Sequence, residues 1–194
     1  SMPSTMQGHW HMMKALWSTV ADLTVVQAQD LFGLGSESRM NIPSTLGGKP
    51  VAVICNEAFK WKKIESVSFP NTIVSIDYKA FMGTSLKTVT IPEKLTNIAF
   101  NAFSDCENLE RVNFNATNCG GTVSPVFSGC PKLKTIVIGS KVTAIGSYMF
   151  SYTPIESITH EGKEAVFNNR EPGPVGTKLQ YLLKGGQYGS VEDV

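Results

Sequence analysis

The chain lacks an excess of either charge: 17 Lys and Arg stand against 16 Asp and Glu in 194 residues. Without a basic or acidic surplus, neither nucleic acid nor an anionic membrane is expected as its main partner. Long hydrophobic runs are missing as well. Every apolar stretch is broken short of the roughly 18 to 20 residues of a membrane-crossing helix, so no membrane span is expected. Histidine is scarce, with only His9, His11 and His160, and no Ser or Cys can be assigned a base from the sequence. Residues two apart on a helix face different directions, so His9 and His11 read as polar-face residues and not as a metal pair. The four cysteines, Cys55, Cys106, Cys119 and Cys130, never adopt C-x-x-C spacing, which argues against zinc and redox motifs. No glycine-rich loop follows a strand and opens a helix, and "KGGQYGS" at 184–190 reads as flexible punctuation. No catalytic residue, metal site or cofactor is therefore expected. Ser1 before Met2 reads as a cloning remnant, so the lack of a visible leader says nothing about compartment.

A phrase of twenty-odd residues is present instead, several times over. Its copies start at Ile64, Leu86, Leu109, Leu133 and Ile155, in steps of 22, 23, 24 and 22, and a partial earlier copy supplies Ile42, Val51, Ile54 and Phe59. Each full copy opens with apolar residues at positions one, four and six, such as Leu86, Val89 and Ile91. This predicts a short strand with one face inward. A second apolar pair follows, Leu95 and Ile98 or Val142 and Ile145, and then a Phe: Phe59, Phe81, Phe103, Phe127 and Phe150. That one slot holds five of the ten Phe. A single copy buries too little apolar surface to offset the ordering of its own backbone. Stacked copies cover one another, so side chains in like slots should form continuous columns and the strands a parallel sheet.

The copies resemble leucine-rich repeats of the BspA-like (Treponema pallidum type) class, on Ile91-Pro92, Ile98, Ala102-Phe103 and Cys106, and on Phe69-Pro70, Ile76 and Ala80-Phe81. The third copy departs from the pattern with Phe114-Asn115 and the segment "NATNCGG", read as an insertion; the fourth has Ile138-Gly139 and Met149-Phe150. The resemblance implies an α/β fold: a right-handed leucine-rich-repeat solenoid of about five to six units, with short parallel strands and short helical turns; an N-terminal helical cap is expected from the residues ahead of the repeats and not from the resemblance. It further implies a non-catalytic recognition module, a microbial cell-surface or secreted protein of adhesion type that binds a protein or glycoprotein ligand. The expected division is 1–35 for the helical cap or docking helix, 36–167 for the solenoid, and 168–194 for a C-terminal cap and flexible tail.

Strand positions three and five should point outward and form the candidate binding surface: Ser66 and Ser68, Thr88 and Thr90, Arg111 and Asn113, Thr135 and Val137, Ser157 and Thr159. The surface is small and hydroxylated, without aromatic anchors. Position two alternates in sign through Glu65, Lys87, Glu110, Lys134 and Glu156; it reads first as a ladder that fixes register and second as an edge for a charged partner. Cys106 and Cys130 share one slot in neighbouring copies, where free buried thiols are expected and a disulfide is within reach. "NAT" at 115–117 matches a glycosylation acceptor, but a turn is the preferred reading. Ahead of the repeats, Trp10, Met13, Trp17 and Val20 form a helical stripe. It reads first as a cap on the open end and otherwise as a docking helix, the latter leading to an alternative: an intracellular scaffold or self-associating subunit forming a homo-oligomer.

Overall fold

The fold is taken from a computed structural model, which describes residues 38–46, 48–146, 148–160 and, for the backbone alone, 163–166. The stripe of Trp10, Met13, Trp17 and Val20, the pair His9 and His11, and the segments 1–35 and 168–194 lie outside the described residues, so neither cap enters the description.

In chain order the strands are β1 (Arg39–Asn41), β2 (Thr45–Leu46), β3 (Lys49–Pro50), β4 (Val53–Ile54), β5 (Ser66–Ser68), β6 (Ser75–Ile76), β7 (Thr88–Ile91), β8 (Asn97–Ile98), β9 (Arg111–Phe114), β10 (Thr135–Ile138), β11 (Ser157–His160) and β12 (Lys163–Val166). The chain winds as a parallel-strand solenoid of about five turns. Strands β7, β9, β10 and β11 form one parallel sheet in which Thr88, Arg111, Thr135 and Ser157 lie in register. Strand β1 pairs in parallel with β5, and β4, β6 and β8 form a second, narrower parallel sheet. Strands β2 and β3 make a small antiparallel hairpin.

The inward slots form the columns expected of them. The rings of Phe59, Phe81, Phe103, Phe127 and Phe150 stack nearly face to face, with successive centroids 4.9, 5.1, 5.4 and 4.9 Å apart. All five are fully buried, alongside the columns of Leu86, Leu109 and Leu133 and of Val89, Val112, Ile136 and Ile158. One core therefore runs the length of the array, and each coil completes its neighbour.

Two expectations need correction. The described residues contain no helix, so the short helical turns, and with them the α/β class, give way to an all-β solenoid. The reason lies in where the amides point. In the turn wall of the first full coil, Ala80, Met82 and Thr84 close local turns onto Asp77, Lys79 and Phe81, while the intervening Lys79, Phe81 and Gly83 donate to Phe100, Ala102 and Ser104 of the next coil. A helix needs every amide for its own axis; here alternate ones join coil to coil. The backbone adapts with left-handed residues two before and two after the buried Phe, as at Lys79 (φ 54°) and Gly83 (φ 70°) around Phe81, or Asn101 (φ 59°) and Asp105 (φ 56°) around Phe103. The second correction concerns the segment read as a last coil: β12 returns antiparallel to β11, with Ser157 opposite Val166. Only Glu161 and Gly162 separate the two strands, far fewer residues than a parallel crossover requires.

Candidate functional site

The alternation of the strands turns position-three and position-five residues out of the core. Ser66, Ser68, Thr88, Thr90 and Arg111 are exposed, whereas Asn113, Thr135, Val137, Ser157 and Thr159 are half-buried. Register gathers them into two rows. Thr88, Arg111, Thr135 and Ser157 make one; Thr90, Asn113, Val137 and Thr159 make the other. Ser66 and Ser68 lie on β5, which pairs with β1.

Within the rows, Arg111 Nε donates to Asn113 Oδ1 at 2.8 Å, and Asn113 Nδ2 donates to Thr90 Oγ1 at 3.2 Å. This chain holds the guanidinium against the sheet and links two coils. Sequence reasoning missed the extension of the rows by Arg39 and Asn41, which stand beside Ser66 and Ser68; the Ser68 hydroxyl donates to Asn41 Oδ1 at 2.9 Å. The available signal was "RMN", an alternating triplet ahead of the partial first copy.

The alternating charges sit on adjacent coils, joined by backbone bonds such as Glu110 N–H to the Lys87 carbonyl at 2.9 Å and Glu156 N–H to the Lys134 carbonyl at 2.9 Å. Among the described residues of this row, Lys134 and Glu156 close to an ion pair, at 3.5 Å. Both side chains are solvent-exposed, so the pair contributes about 0 to 1 kcal/mol.

All four cysteines are buried thiols. Cys106 Sγ donates to the Phe81 carbonyl at 3.4 Å and Cys130 Sγ to the Phe103 carbonyl at 3.2 Å, each tying its coil to the preceding Phe. The neighbouring Cys106 thiol, and burial after it, push Cys130 up, whereas the Cys130 thiol draws Cys106 down. Thr84 and Thr153 fill the equivalent slot in the flanking coils and bond the carbonyls of Phe81 and Phe150. The slot accordingly serves structure. Burial pushes the Cys119 thiol up to about 12, which leaves it protonated and a poor nucleophile. His160 is buried at the end of β11, with Nε2 unpartnered among the described residues. The described residues hold no cluster of three metal-ligating side chains and no helix long and apolar enough to cross a membrane.

Comparison with known proteins accords with this geometry. A family model described as the BspA type leucine rich repeat region matches residues 52–170, in six copies. Among solved structures, a leucine-rich repeat protein from Eubacterium ventriosum ATCC 27560 superposes with a TM-score of 0.52 at 22% identity, over 64% of this chain and 33% of that one. A leucine rich cell surface protein from Faecalibacterium prausnitzii A2-165 gives 0.41 at 21% identity, over 62% and 41%. The chain thus spans a third to two fifths of these solved proteins. A different model, described as 4-alpha-glucanotransferase, matches residues 2–51. The 4-alpha-glucanotransferase of Synechocystis sp. (strain ATCC 27184 / PCC 6803 / Kazusa) is 45% identical over 40 residues, 21% of this chain and 8% of that enzyme. With the repeat model covering more than half of its length and the solenoid following the same period, the chain belongs to the BspA-type leucine-rich repeat family.

Proposed function

We propose that this chain is a non-catalytic recognition module, acting at a microbial cell surface or as a secreted protein, and that it engages a protein or glycoprotein through the outer face of the long sheet. The observation that carries this reading is the chain of hydrogen bonds from Arg111 through Asn113 to Thr90. A pre-positioned guanidinium loses less side-chain freedom when it meets a partner's carboxylate or carbonyl. The small hydroxylated residues around it present donors and acceptors without bulk, which suits an extended flat contact. Forty residues matching 8% of an enzyme bring none of its activity to the proposal, since function belongs to sites and not to fragments.

The test is binding of the immobilised chain to a panel of purified extracellular glycoproteins, with and without the double substitution Arg111→Ala and Asn113→Ala. At least one ligand should lose about tenfold or more in affinity, equivalent to about 1.4 kcal/mol. Capture unchanged by the double substitution removes this face from the reading. Self-association through Trp10, Met13, Trp17 and Val20 makes a different prediction, a solution mass that rises with concentration.

A further inference from the structure

The wall carrying the Phe column has an outer side of its own, separate from the sheet face. Two residues after each buried Phe the backbone is left-handed, with φ of 61° at Trp61, 70° at Gly83, 56° at Asp105, 76° at Gly129 and 60° at Tyr152. These positions follow one another coil by coil, and the amides of the first three are already used. Trp61 N–H donates to the Met82 carbonyl at 2.8 Å, Gly83 N–H to Ser104 at 2.8 Å, and Asp105 N–H to Ser128 at 3.0 Å. A ligand along these three coils therefore cannot take those amides and is met chiefly by side chains.

Those side chains form a groove. Trp61 and Tyr152 stand at its two ends, 61% and 68% exposed, and Gly129 keeps its floor low. A Cβ on Gly83 would land in the Trp61 indole, and one on Gly129 would land on the Asp105 carboxylate. The indole thus lies across Gly83, and the carboxylate reaches over Gly129. An open space of about 550 Å³ remains, lined by both aromatics together with Asp105, Glu107, Asn108 and Lys132. The Lys132 ammonium donates to Asn108 Oδ1 at 3.3 Å.

We propose that this groove binds a linear, uncharged oligosaccharide running along the solenoid axis. Exposed indole and phenol rings offer the flat apolar faces on which the C–H face of a pyranose rests, and each keeps a polar edge in water. Between them the lining supplies two carboxylate acceptors, an ammonium donor and an amide that does both, which matches hydroxyl groups that donate and accept. The coil step, 4.9 to 5.4 Å along the Phe column, is close to the length of one sugar ring in an extended chain, so successive rings meet equivalent positions. The indole of Trp61 lies over Gly83, three coils from Tyr152, about 14 Å at the usual strand spacing, so a chain of roughly four rings places its terminal rings on the two aromatics. A peptide adding to the wall as a strand would need free amides, and those of Trp61, Gly83 and Asp105 are engaged. A polycation would need more than two carboxylates beside one ammonium. This inference does not depend on the sheet face binding anything.

Isothermal titration of the full chain with cello-, malto- and chito-oligosaccharides, from disaccharide to hexasaccharide, tests it. At least one series should bind saturably, with affinity climbing up to about the tetrasaccharide. Trp61→Ala should weaken that binding about tenfold, Tyr152→Ala should remove the dependence on length, and Arg111→Ala with Asn113→Ala should leave it unchanged. Should Trp61→Ala disturb folding, as judged by its far-ultraviolet spectrum, Asp105→Asn provides the same reading through loss of the carboxylate. Absence of saturable heat with every sugar at millimolar concentration overturns the proposal, as does full binding in the Trp61 or Asp105 variant. Capture of an arginine-rich peptide in place of the sugars likewise overturns it.

Discussion

The second and third full coils, 86–108 and 109–132, solve the same burial problem by different routes. Their inward slots agree: Leu86 with Leu109, Val89 with Val112, Ile91 with Phe114, Phe103 with Phe127 and Cys106 with Cys130, all buried. Their second walls do not. In the second coil Asn97–Ile98 pairs as a strand with Ser75–Ile76. In the third no such strand forms: the Ile98 amide donates to the Thr122 hydroxyl at 3.4 Å, and an isolated bridge joins Asn118 to Ala144, which sets the buried Cys119 beside Ile145 of the next coil. Cys119 donates its thiol to the Leu95 carbonyl at 3.2 Å and its amide to the Ala144 carbonyl at 3.1 Å. The difference teaches that the columns tolerate little, whereas a corner absorbs an extra residue if its amides and carbonyls find other partners.

The comparison can be broken most sharply through the shared column. Phe103→Ala and Phe127→Ala should each cost about 3 to 5 kcal/mol in urea unfolding, because both leave a gap between stacked rings. A far smaller cost for Phe127 would show that the irregular coil stands outside the common core. A smaller effect probes the seam where the irregular coil meets the next one. Gly146 lies so close to Thr122 that a Cβ would land on the Thr122 carbonyl, while a Cβ on Gly121 meets nothing within 4 Å. Gly146→Ala should therefore cost about 1 to 3 kcal/mol and lower the melting temperature, whereas Gly121→Ala should leave it nearly unchanged. Equal behaviour of the two would dissolve the seam.

The smallest effect is silent at neutral pH. The Cys119 thiol titrates near 9 when unperturbed and near 12 in the folded chain. Above pH 9 the unfolded chain holds fewer protons than the folded one, so the stability this thiol contributes is complete below pH 9 and is lost as pH rises towards 12. Denaturation measured across that interval should fall less steeply in Cys119→Ala than in the parent. Parallel slopes would mean that Cys119 is not sealed in the core of the third coil.

Much of this was legible in the residues, and the failures have physical causes. The period, the strand faces and the Phe column could be read because burial repeats the same residue types at the same spacing. "NATNCGG" was misread as an insertion of several residues. Phe127 lies 18 residues after Leu109 where Phe103 lies 17 after Leu86, so the net gain is one residue, and the buried Cys119 and Thr122 are core residues in unfamiliar identities. A thiol and a hydroxyl hide in sequence because their small side chains carry little apolar signal. The groove between Trp61 and Tyr152 was not foreseen either. Its two aromatics, and Asp105 between them, lie two residues after Phe in different coils, and nothing local marks that position as outward and left-handed.

By itself, the sequence determined that one core would run through stacked coils, because no single copy buries enough surface to stand alone and like slots must meet. The tertiary structure decided how the coils are joined and what faces outward. Alternate amides of the turn wall bond across coils where a helix had been expected, and the chain doubles back at β12. Rows of side chains far apart in the sequence become a sheet face and a groove. Burial is written in residue type and spacing, whereas the direction of an amide or an exposed side chain depends on which neighbouring coil is there to meet it.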